Sequence, residues 1–144
     1  MNQRRWAAPV LGVCVFISQA KPEQVMYGNI KLSELTIDTP LKIIGIGQMD
    51  KVKAHSDVTV VGVLKAQHST FMGDIYIVGS NTSLESAQVA GNIQVTNYLS
   101  RPKLKLHNTS VAGKVIFKGV VRGCIEMDDN SQISQGIENG EVCK

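Results

Sequence analysis

The chain has 144 residues, of which 43% are hydrophobic and 19% are charged, and its formal net charge is +3. This length suits one core rather than two independent ones, and the composition excludes a disordered chain and a multi-span membrane protein. Aromatic residues make up only 5% of the chain. Small and branched apolar residues therefore carry the pattern, as suits a narrow core of stacked strands.

Residues 1–20 have the pattern of a secretory signal peptide. A positive N-terminal region precedes a short apolar run and the small-x-Ala cleavage site Ser18-Gln19-Ala20. We expect cleavage there, a mature chain that begins near Lys21, and a secreted or periplasmic location. The alternative is an N-terminal strand or an uncleaved anchor, although the run is too short to span a bilayer comfortably. We expect contact with a membrane only through an uncleaved signal.

Loss of this leader changes the charge balance. Arg4 and Arg5 leave with it, so the 15 basic residues fall to 13 against 12 acidic ones, a net charge of about +1. No Lys/Arg cluster remains, and we therefore expect neither a nucleic-acid partner nor strong binding to an anionic membrane. Cys14 leaves as well, and the pair Cys124 and Cys143 remains in a compartment where disulfides persist.

Residues 21–56 predict an N-terminal capping strand followed by a first, irregular coil. Pro22 and Pro40 fit an edge strand, since proline cannot donate to a sheet ladder. Such a strand would cover the open end of a stack. Beyond it, Ile44 and Ile46 alternate with glycine, but the period is blurred.

Residues 57–136 contain one unit that is copied with a period near twenty residues. The motif apolar-x-Gly-x-apolar-x-apolar begins at Phe71, Val89 and Val111, and such self-similarity is the signature of a solenoid of stacked strands. Two further short runs complete each copy, which predicts a three-sided coil. On the first side the strands begin at Val58, Ile75, Ile93 and Val115, at steps of 17, 18 and 22 residues.

We therefore predict an all-β fold, a single-stranded right-handed parallel β-helix (solenoid) of about 5–6 coils of 17–22 residues with three short strands per coil. The right-handedness follows from the general preference of parallel crossovers. The regular coils should occupy residues 57–136, and residues 137–144 should form a C-terminal cap or tail.

A side-chain period of two assigns the faces of each strand. If Ile75 and Ile93 point inward, the residues between the inward positions point outward. On the first side the outward row is Thr59, Tyr76, Gln94 and Ile116. On the second side it is Lys65, Glu85, Lys105 and Glu126. The second row alternates in charge from coil to coil, which predicts favourable contacts between neighbours about 4.8 Å apart.

Cys124 and Cys143 lie 19 residues apart, which is about one coil. Stacking would bring their backbones within disulfide reach. We predict that they pair, fasten the C-terminal tail to the last coil and contribute about 3 kcal/mol by loop-entropy reasoning. Two free thiols, one of them a metal ligand, are the alternative, but no Cys-x-x-Cys or adjacent histidine supports it.

One polar column immediately precedes the strands of the first side, and it consists of Asp57, Asp74, Asn92 and Lys114. Asp57 and Asp74 would lie on successive coils with carboxyl groups about 5 Å apart, the separation found in retaining glycosidases. They are the candidates for catalysis. The alternative is that both are turn residues at a coil corner.

The three histidines predict no metal site, because His55, His68 and His107 do not fall at one repeat position. The sequence contains no Gly-x-Ser-x-Gly nucleophile elbow, no Gly-x-Gly-x-x-Gly fingerprint and no Walker loop. We therefore expect neither a metal nor a cofactor.

Tyr76, Gln94 and Ile116 make a candidate binding surface on the outward row of the first side. Apolar residues on a nominally outer row would suit a flat docking surface for another chain or a sugar polymer. The alternative is that they are scattered exposed residues of the ordinary kind.

The segments Phe71–Ile77 and Val89–Val95 resemble the x-G-[DN]-[IV] rungs of the bactofilins, bacterial polymer-forming proteins with a right-handed parallel β-helix core. The resemblance covers roughly residues 58–117 and implies the same fold. Bactofilins are cytoplasmic scaffolds that associate through open ends, whereas this chain has a predicted secretory signal and a cysteine pair. Filament formation is therefore not carried over.

The function that we expect is that of a secreted or periplasmic, non-enzymatic scaffold, a structural protein with a rigid surface for binding or assembly. Its partners would be a second copy, an envelope or host surface component, or a polysaccharide. One alternative is a small carbohydrate-active β-helix enzyme that uses Asp57 and Asp74. Another is an adaptor that docks a partner or lipid through the outer face at Tyr76 and Ile116.

Overall fold

The computed structural model describes residues 23–97, 99–119 and 121–143, and it confirms the predicted all-β solenoid. The strands stack in about seven turns, close to the 5–6 coils that the sequence predicts, and all their pairings are parallel. This stretch of the chain contains no helix of the length and apolarity that crossing a membrane requires. The strands, in chain order, are β1 (Gln24–Ser33), β2 (Thr36–Ile37), β3 (Leu41–Asp50), β4 (Lys53–Ala54), β5 (Val58–Gln67), β6 (Thr70–Phe71), β7 (Ile75–Val78), β8 (Asn81–Glu85), β9 (Gln88–Val89), β10 (Ile93–Thr96), β11 (Lys103–His107), β12 (Ser110–Val111), β13 (Val115–Lys118), β14 (Gly123–Met127), β15 (Gln132–Ile133), β16 (Ile137–Glu138) and β17 (Gly140–Val142).

Three faces run along the stack. The long strands β1, β3 and β5 each cover the first and second faces and bend at Gly28, Gly45 and Gly62, which pair with one another. In the later coils β7, β10, β13 and β16 continue the first face, and β8, β11, β14 and β17 continue the second. The two-residue strands β2, β4, β6, β9, β12 and β15 form the third face.

The register confirms the predicted alignment of the first face. Val58 pairs with Ile75, Ile75 with Ile93, and Ile93 with Val115. These four side chains are buried in one continuous core that runs along the axis of the solenoid. The predicted outward residues form one half-buried row, namely Thr59, Tyr76, Gln94 and Ile116.

The N-terminal region of the chain is more regular than the sequence predicts. All ten residues of β1 pair with β3, and all ten of β3 pair with β5, so regular coils begin at Gln24. Ile44 and Ile46 blur the period because they flank the bend at Gly45 and face outward, while Ile43 is buried. The predicted signal peptide over 1–20 and its cleavage site lie outside the described residues.

On the second face the predicted register is wrong by two residues. Thr82, and not Leu84, occupies the inward position between Leu64 and Leu104, and its buried hydroxyl has no hydrogen-bond partner among the described residues. The prediction was wrong here because it matched the repeats on leucine, whereas the structure has a threonine at this inward position. Glu85 consequently moves away from the row in which it was predicted.

The outward row of the second face therefore lacks the predicted alternation of charge. Ser83 lies between Lys65 and Lys105, where Glu85 was expected. Glu126 does pair in register with Lys105, but its carboxylate contacts the Lys103 ammonium, at 3.0 Å. The hydrogen bond and charge of Lys103 lower the pKa of Glu126. Two lysines thus face a small side chain rather than a carboxylate.

The C-terminal residues form a last, partial coil. The predicted disulfide joins Cys124 to Cys143, whose Cα atoms are 5.7 Å apart. The backbone N–H of Cys143 also donates to the carbonyl of Ile125, at 2.8 Å. The disulfide and the pairing of β16 and β17 with the coil beneath them fasten this end of the stack.

Candidate functional site

The column of Asp57, Asp74 and Asn92 is a ladder of side-chain to backbone hydrogen bonds. The backbone N–H of Asp74 donates to Asp57 Oδ1, at 2.8 Å, and that of Asn92 donates to Asp74 Oδ1, also at 2.8 Å. The N–H of Lys114 donates to Asn92 Oδ1, at 2.9 Å. Each side chain therefore satisfies a backbone donor of the next coil, where the chain turns into the first face.

The glycine that precedes each later member of the ladder is explained by the same contact. A Cβ atom at Gly73 would lie 2.5 Å from Asp57 Oδ1, and a Cβ atom at Gly91 would overlap Asp74 Oδ1. The carboxylate of one coil fills the space that a side chain would need on the next. The Gly-[Asp/Asn] dipeptide is thus a structural requirement of the stack.

Tyr76 joins this ladder from the first face. Its hydroxyl donates to Asp74 Oδ2, at 3.3 Å. Partial burial, followed by the negative charges of Asp74 and Asp57, raises the pKa of the Tyr76 hydroxyl. Neutral Tyr76 is a hydrogen-bond donor to the carboxylate, so both carboxylates have partners within the stack.

The structure therefore brings the two catalytic candidates together at a corner. Asp57 is exposed and Asp74 is half-buried, on successive coils. One oxygen of each carboxylate accepts a backbone N–H bond. A general acid or nucleophile needs a free oxygen that faces a substrate. The geometry explains the two residues as members of the fold's hydrogen-bond ladder, and the use of their remaining oxygens in catalysis stays a hypothesis.

Replacing Asp74 tests this structural role. Asp74→Ala should lower the free energy of unfolding by about 1–2 kcal/mol, because the N–H of Asn92 loses its acceptor. Asp74→Asn should change it by less than about 0.5 kcal/mol, because Asn92 already has the same role in the next coil. Urea unfolding followed by circular dichroism measures both. Equal losses for the two variants would contradict the ladder.

The three histidines each contact an aspartate of a neighbouring coil. Nδ1 lies 2.9 Å from Asp38 Oδ1 in His55, 3.5 Å from Asp50 Oδ1 in His68, and 2.7 Å from Asp128 Oδ2 in His107. All three pairs are exposed or half-exposed, and the described ranges contain no group of residues that could hold a metal ion. The histidines act as links between coils in this geometry.

Asp128 is the best connected of these carboxylates. It accepts hydrogen bonds from the Ser131 hydroxyl, at 2.7 Å, and from the backbone N–H of Asn108, at 3.1 Å. These two bonds and the nearby His107 lower the pKa of Asp128. A lowered pKa means that the ionised carboxylate stabilises the folded state, and that this stabilisation is lost as the pH falls through the lowered pKa.

The pH dependence of this contribution is testable. Asp128→Asn should have a lower melting temperature than the native protein at pH 7, and the difference should narrow toward zero as the pH falls below the ordinary range of an aspartate pKa. Thermal unfolding across the acidic range measures it. Asp129→Asn, at an exposed neighbouring position, is the matched control. A difference that stays constant with pH would contradict the assignment.

The predicted binding surface of Tyr76, Gln94 and Ile116 does form one row of stacked residues. All three are half-buried, so the row offers little free apolar area. The more exposed apolar residues lie at the bend between the first and second faces, where sequence analysis indicated no site. A column of exposed residues one position before or after a glycine is the signal that would have found them.

Comparisons with protein-family models, with curated proteins and with solved structures find no match to this chain. The resemblance to the bactofilins therefore rests on the rung motif alone.

Proposed function

We propose that this protein is a secreted or periplasmic, non-enzymatic β-solenoid that acts as a rigid scaffold for binding or assembly. The observation that carries the proposal is the unbroken parallel register from β1 to β17. Apolar side chains fill the interior, and the polar columns at the corners bond one coil to the next. Such a structure offers long, flat, regular surfaces rather than a cleft.

The disulfide supports the proposed location. Bonds of this kind persist in oxidising compartments and are rare in the cytosol. Cys124 and Cys143 join the last coil to the coil beneath it. The apolar leader over 1–20 supports the same location from the sequence.

Assembly is supported by the N-terminal end of the stack. β1 pairs with β3 on one edge, and no described strand pairs with its other edge. Met26, Ile30 and Leu32 continue the core into this end and remain only partly buried. A long strand with a free edge is a template for pairing with another chain. This end is the surface through which we expect the scaffold to self-associate.

Light scattering and mass spectrometry of the exported protein test the proposal. We expect a mature mass that begins near Lys21, an intact Cys124–Cys143 bond, and assemblies whose size grows with protein concentration. Reductant should release the bond without dissolving the assemblies, since the free edge lies at the opposite end. A monomer at every concentration would overturn self-assembly, and cytoplasmic retention of the full-length chain would overturn the location.

A variant of the free edge sharpens this test. The N–H of Gln24 donates to Pro40 in the next coil, so the N–H of Val25 points away from the stack. Val25→Pro removes that outward donor and keeps the bond to the next coil. It should reduce assembly, whereas Val25→Thr, which retains the donor, should not. Equal assembly by both variants would show that copies do not pair through this edge.

A further inference from the structure

Exposed apolar side chains concentrate at one corner of the solenoid. We call it the glycine corner; it is the bend between the first and second faces, at Gly28, Gly45, Gly62 and Gly79, at residues 97 and 99–102, and at residues 119 and 121–122. Five of the nine large apolar residues exposed in the described chain lie there, namely Tyr27, Ile46, Val78, Leu99 and Val121. Exposed apolar side chains that are grouped in this way can mark an interaction site.

Two stacked rows of apolar residues run along the glycine corner, and together we call them the apolar ridge. Tyr27, Ile44, Val61 and Val78 pair in succession just before the bend. Ile46 and Val63 pair just after it. Neighbours in a row are about 4.8 Å apart. The ridge is therefore continuous over four coils, and it lies on the outside of the stack, where the core does not need it.

Leu99 extends the ridge, and its exposure is built into the loop. Asn97 Oδ1 accepts the backbone N–H groups of Leu99, at 2.9 Å, and of Ser100, at 3.2 Å. This turn presents the Leu99 side chain to solvent, where it is 96% exposed. Leu99 and Val78 line a common depression of about 400 Å³.

Lysines flank the ridge on both faces. Lys42 lies on the first face, two residues before Ile44, and Lys65 lies on the second face, two residues after Val63. Lys105 continues the row of Lys65 beyond Ser83. No carboxylate of the described residues lies within 4.0 Å of any of these three ammonium groups. Apart from the histidine pairs, the salt bridges of the described residues are Lys51 with Glu34, Arg101 and Arg122 with Glu141, Lys103 with Glu126, and Lys114 with Glu138.

Acidic residues of the same coils lie at the other two corners. From β1 to β11 they are Glu34, Asp38, Asp50, Asp57, Asp74 and Glu85. The first five coils thus have the apolar ridge at the glycine corner, flanked by Lys42, Lys65 and Lys105, which we call the cationic rim. The carboxylates of these coils lie at the other two corners. Lys65 and Lys105 also line a depression of about 500 Å³ beside the ridge, together with Lys103, whose ammonium contacts Glu126 of the next coil. The charge at this corner is complementary to an anionic partner.

From this arrangement we propose that the glycine corner docks on the surface of an anionic phospholipid membrane. The apolar ridge would enter the interfacial region, and the flanking lysines would reach the lipid phosphates along their aliphatic stems. The solenoid axis would lie parallel to the membrane plane. The inference rests on the proposed scaffold function and names its partner, and this contact is separate from an uncleaved leader.

Vesicle sedimentation of the mature protein tests the proposal. We expect binding to vesicles of phosphatidylcholine mixed with phosphatidylglycerol, little binding to phosphatidylcholine alone, and weaker binding as salt is added. Lys65→Gln and Lys105→Gln should each weaken it about fivefold. Leu99→Ser should weaken it as well without affecting folding, since that side chain packs against little.

Matched controls come from the third face. Lys53→Gln and Met72→Ser change an exposed lysine and an exposed apolar residue there and should leave vesicle binding unchanged. Equal loss in the control and corner variants, or equal binding to both kinds of vesicle, would overturn the proposal. Binding to dextran sulfate that needs the lysines but not Leu99 while vesicles are ignored would assign the rim to a soluble polyanion instead.

Light scattering of the same samples without vesicles separates this inference from the scaffold function. If the native protein assembles but ignores anionic vesicles, only the membrane contact fails. If Leu99→Ser or Lys65→Gln abolishes assembly, the corner is an interface between copies, which overturns the membrane contact. If vesicles are bound by a protein that stays monomeric, the membrane contact stands and self-assembly fails.

Discussion

Gly62→Ala should lower the free energy of unfolding by about 3 kcal/mol or more, whereas Gly28→Ala should lower it by only about 1 kcal/mol. Both glycines have positive φ, 137° and 102°, and they belong to the same column of the glycine corner. A Cβ atom at Gly62 would overlap the carbonyl oxygen of Gly45, while one at Gly28 would meet nothing within 4 Å.

Comparing the two variants separates the energetic cost of the steric overlap between coils from the cost of the backbone conformation. Gly28→Ala is the matched control, because it incurs the conformational strain of an alanine with positive φ without the overlap. Urea unfolding monitored by circular dichroism measures both variants. Equal destabilisation would mean that the coils can separate at this bend at little cost, and it would contradict the close packing of carbonyl on glycine.

Phe117→Ala should lower the free energy of unfolding by about 3–5 kcal/mol. Phe117 is 2% exposed and is the only aromatic residue in its column, which continues from Val60 through Ile77 and Val95. Its ring occupies space left by two glycines of the second face, since a Cβ atom at Gly123 or Gly140 would overlap it. The truncation leaves a cavity that glycines cannot fill.

Ile116→Ala is the control for this variant. Ile116 neighbours Phe117 but faces outward and is half-buried, so its truncation should cost less than about 1 kcal/mol. Thermal unfolding under non-reducing conditions measures both variants. A small effect of Phe117→Ala would mean that the last coils collapse around the cavity and that the ring is not required to separate the two faces.

The first and third faces were predictable because the inward columns on which their strands were aligned are apolar in each coil from residue 57 onward. The columns from Val58 to Val115 and from Phe71 to Ile133 follow the period of two without exception. The Cys124–Cys143 bond followed from the coil length and from the even pair of cysteines that remains after the predicted leader. Regular alternation therefore predicts the fold class wherever the inward strand positions remain apolar from coil to coil.

The second face was harder to predict because one polar residue enters an inward column. Thr82 lies between Leu64 and Leu104, so an alignment on leucine shifts the strand by two residues and misplaces Glu85. Loops of different length at the bend add to the ambiguity. A shift of two keeps the same residues facing outward, and only the coil-to-coil partners change.

The candidate site was predictable in position but not in role. The sequence placed Asp57 and Asp74 on successive coils, and the structure agrees. Their bonds to backbone N–H groups depend on three-dimensional stacking, which spacing does not reveal. The glycine corner was missed for a similar reason, since Ile44 and Ile46 look like alternating core residues until the bend at Gly45 is known.

The disulfide gives the molecule a mechanical polarity. The strands of each coil pair only with strands of the coils above and below it, so disruption starts at an end and travels inward. The C-terminal end is closed by a covalent bond between Cys124 and Cys143, whereas at the N-terminal end β1 is held by one strand among those described. If the chain is pulled from both termini, the stack should unfold coil by coil from its N-terminal side, while the disulfide-bonded C-terminal end stays folded.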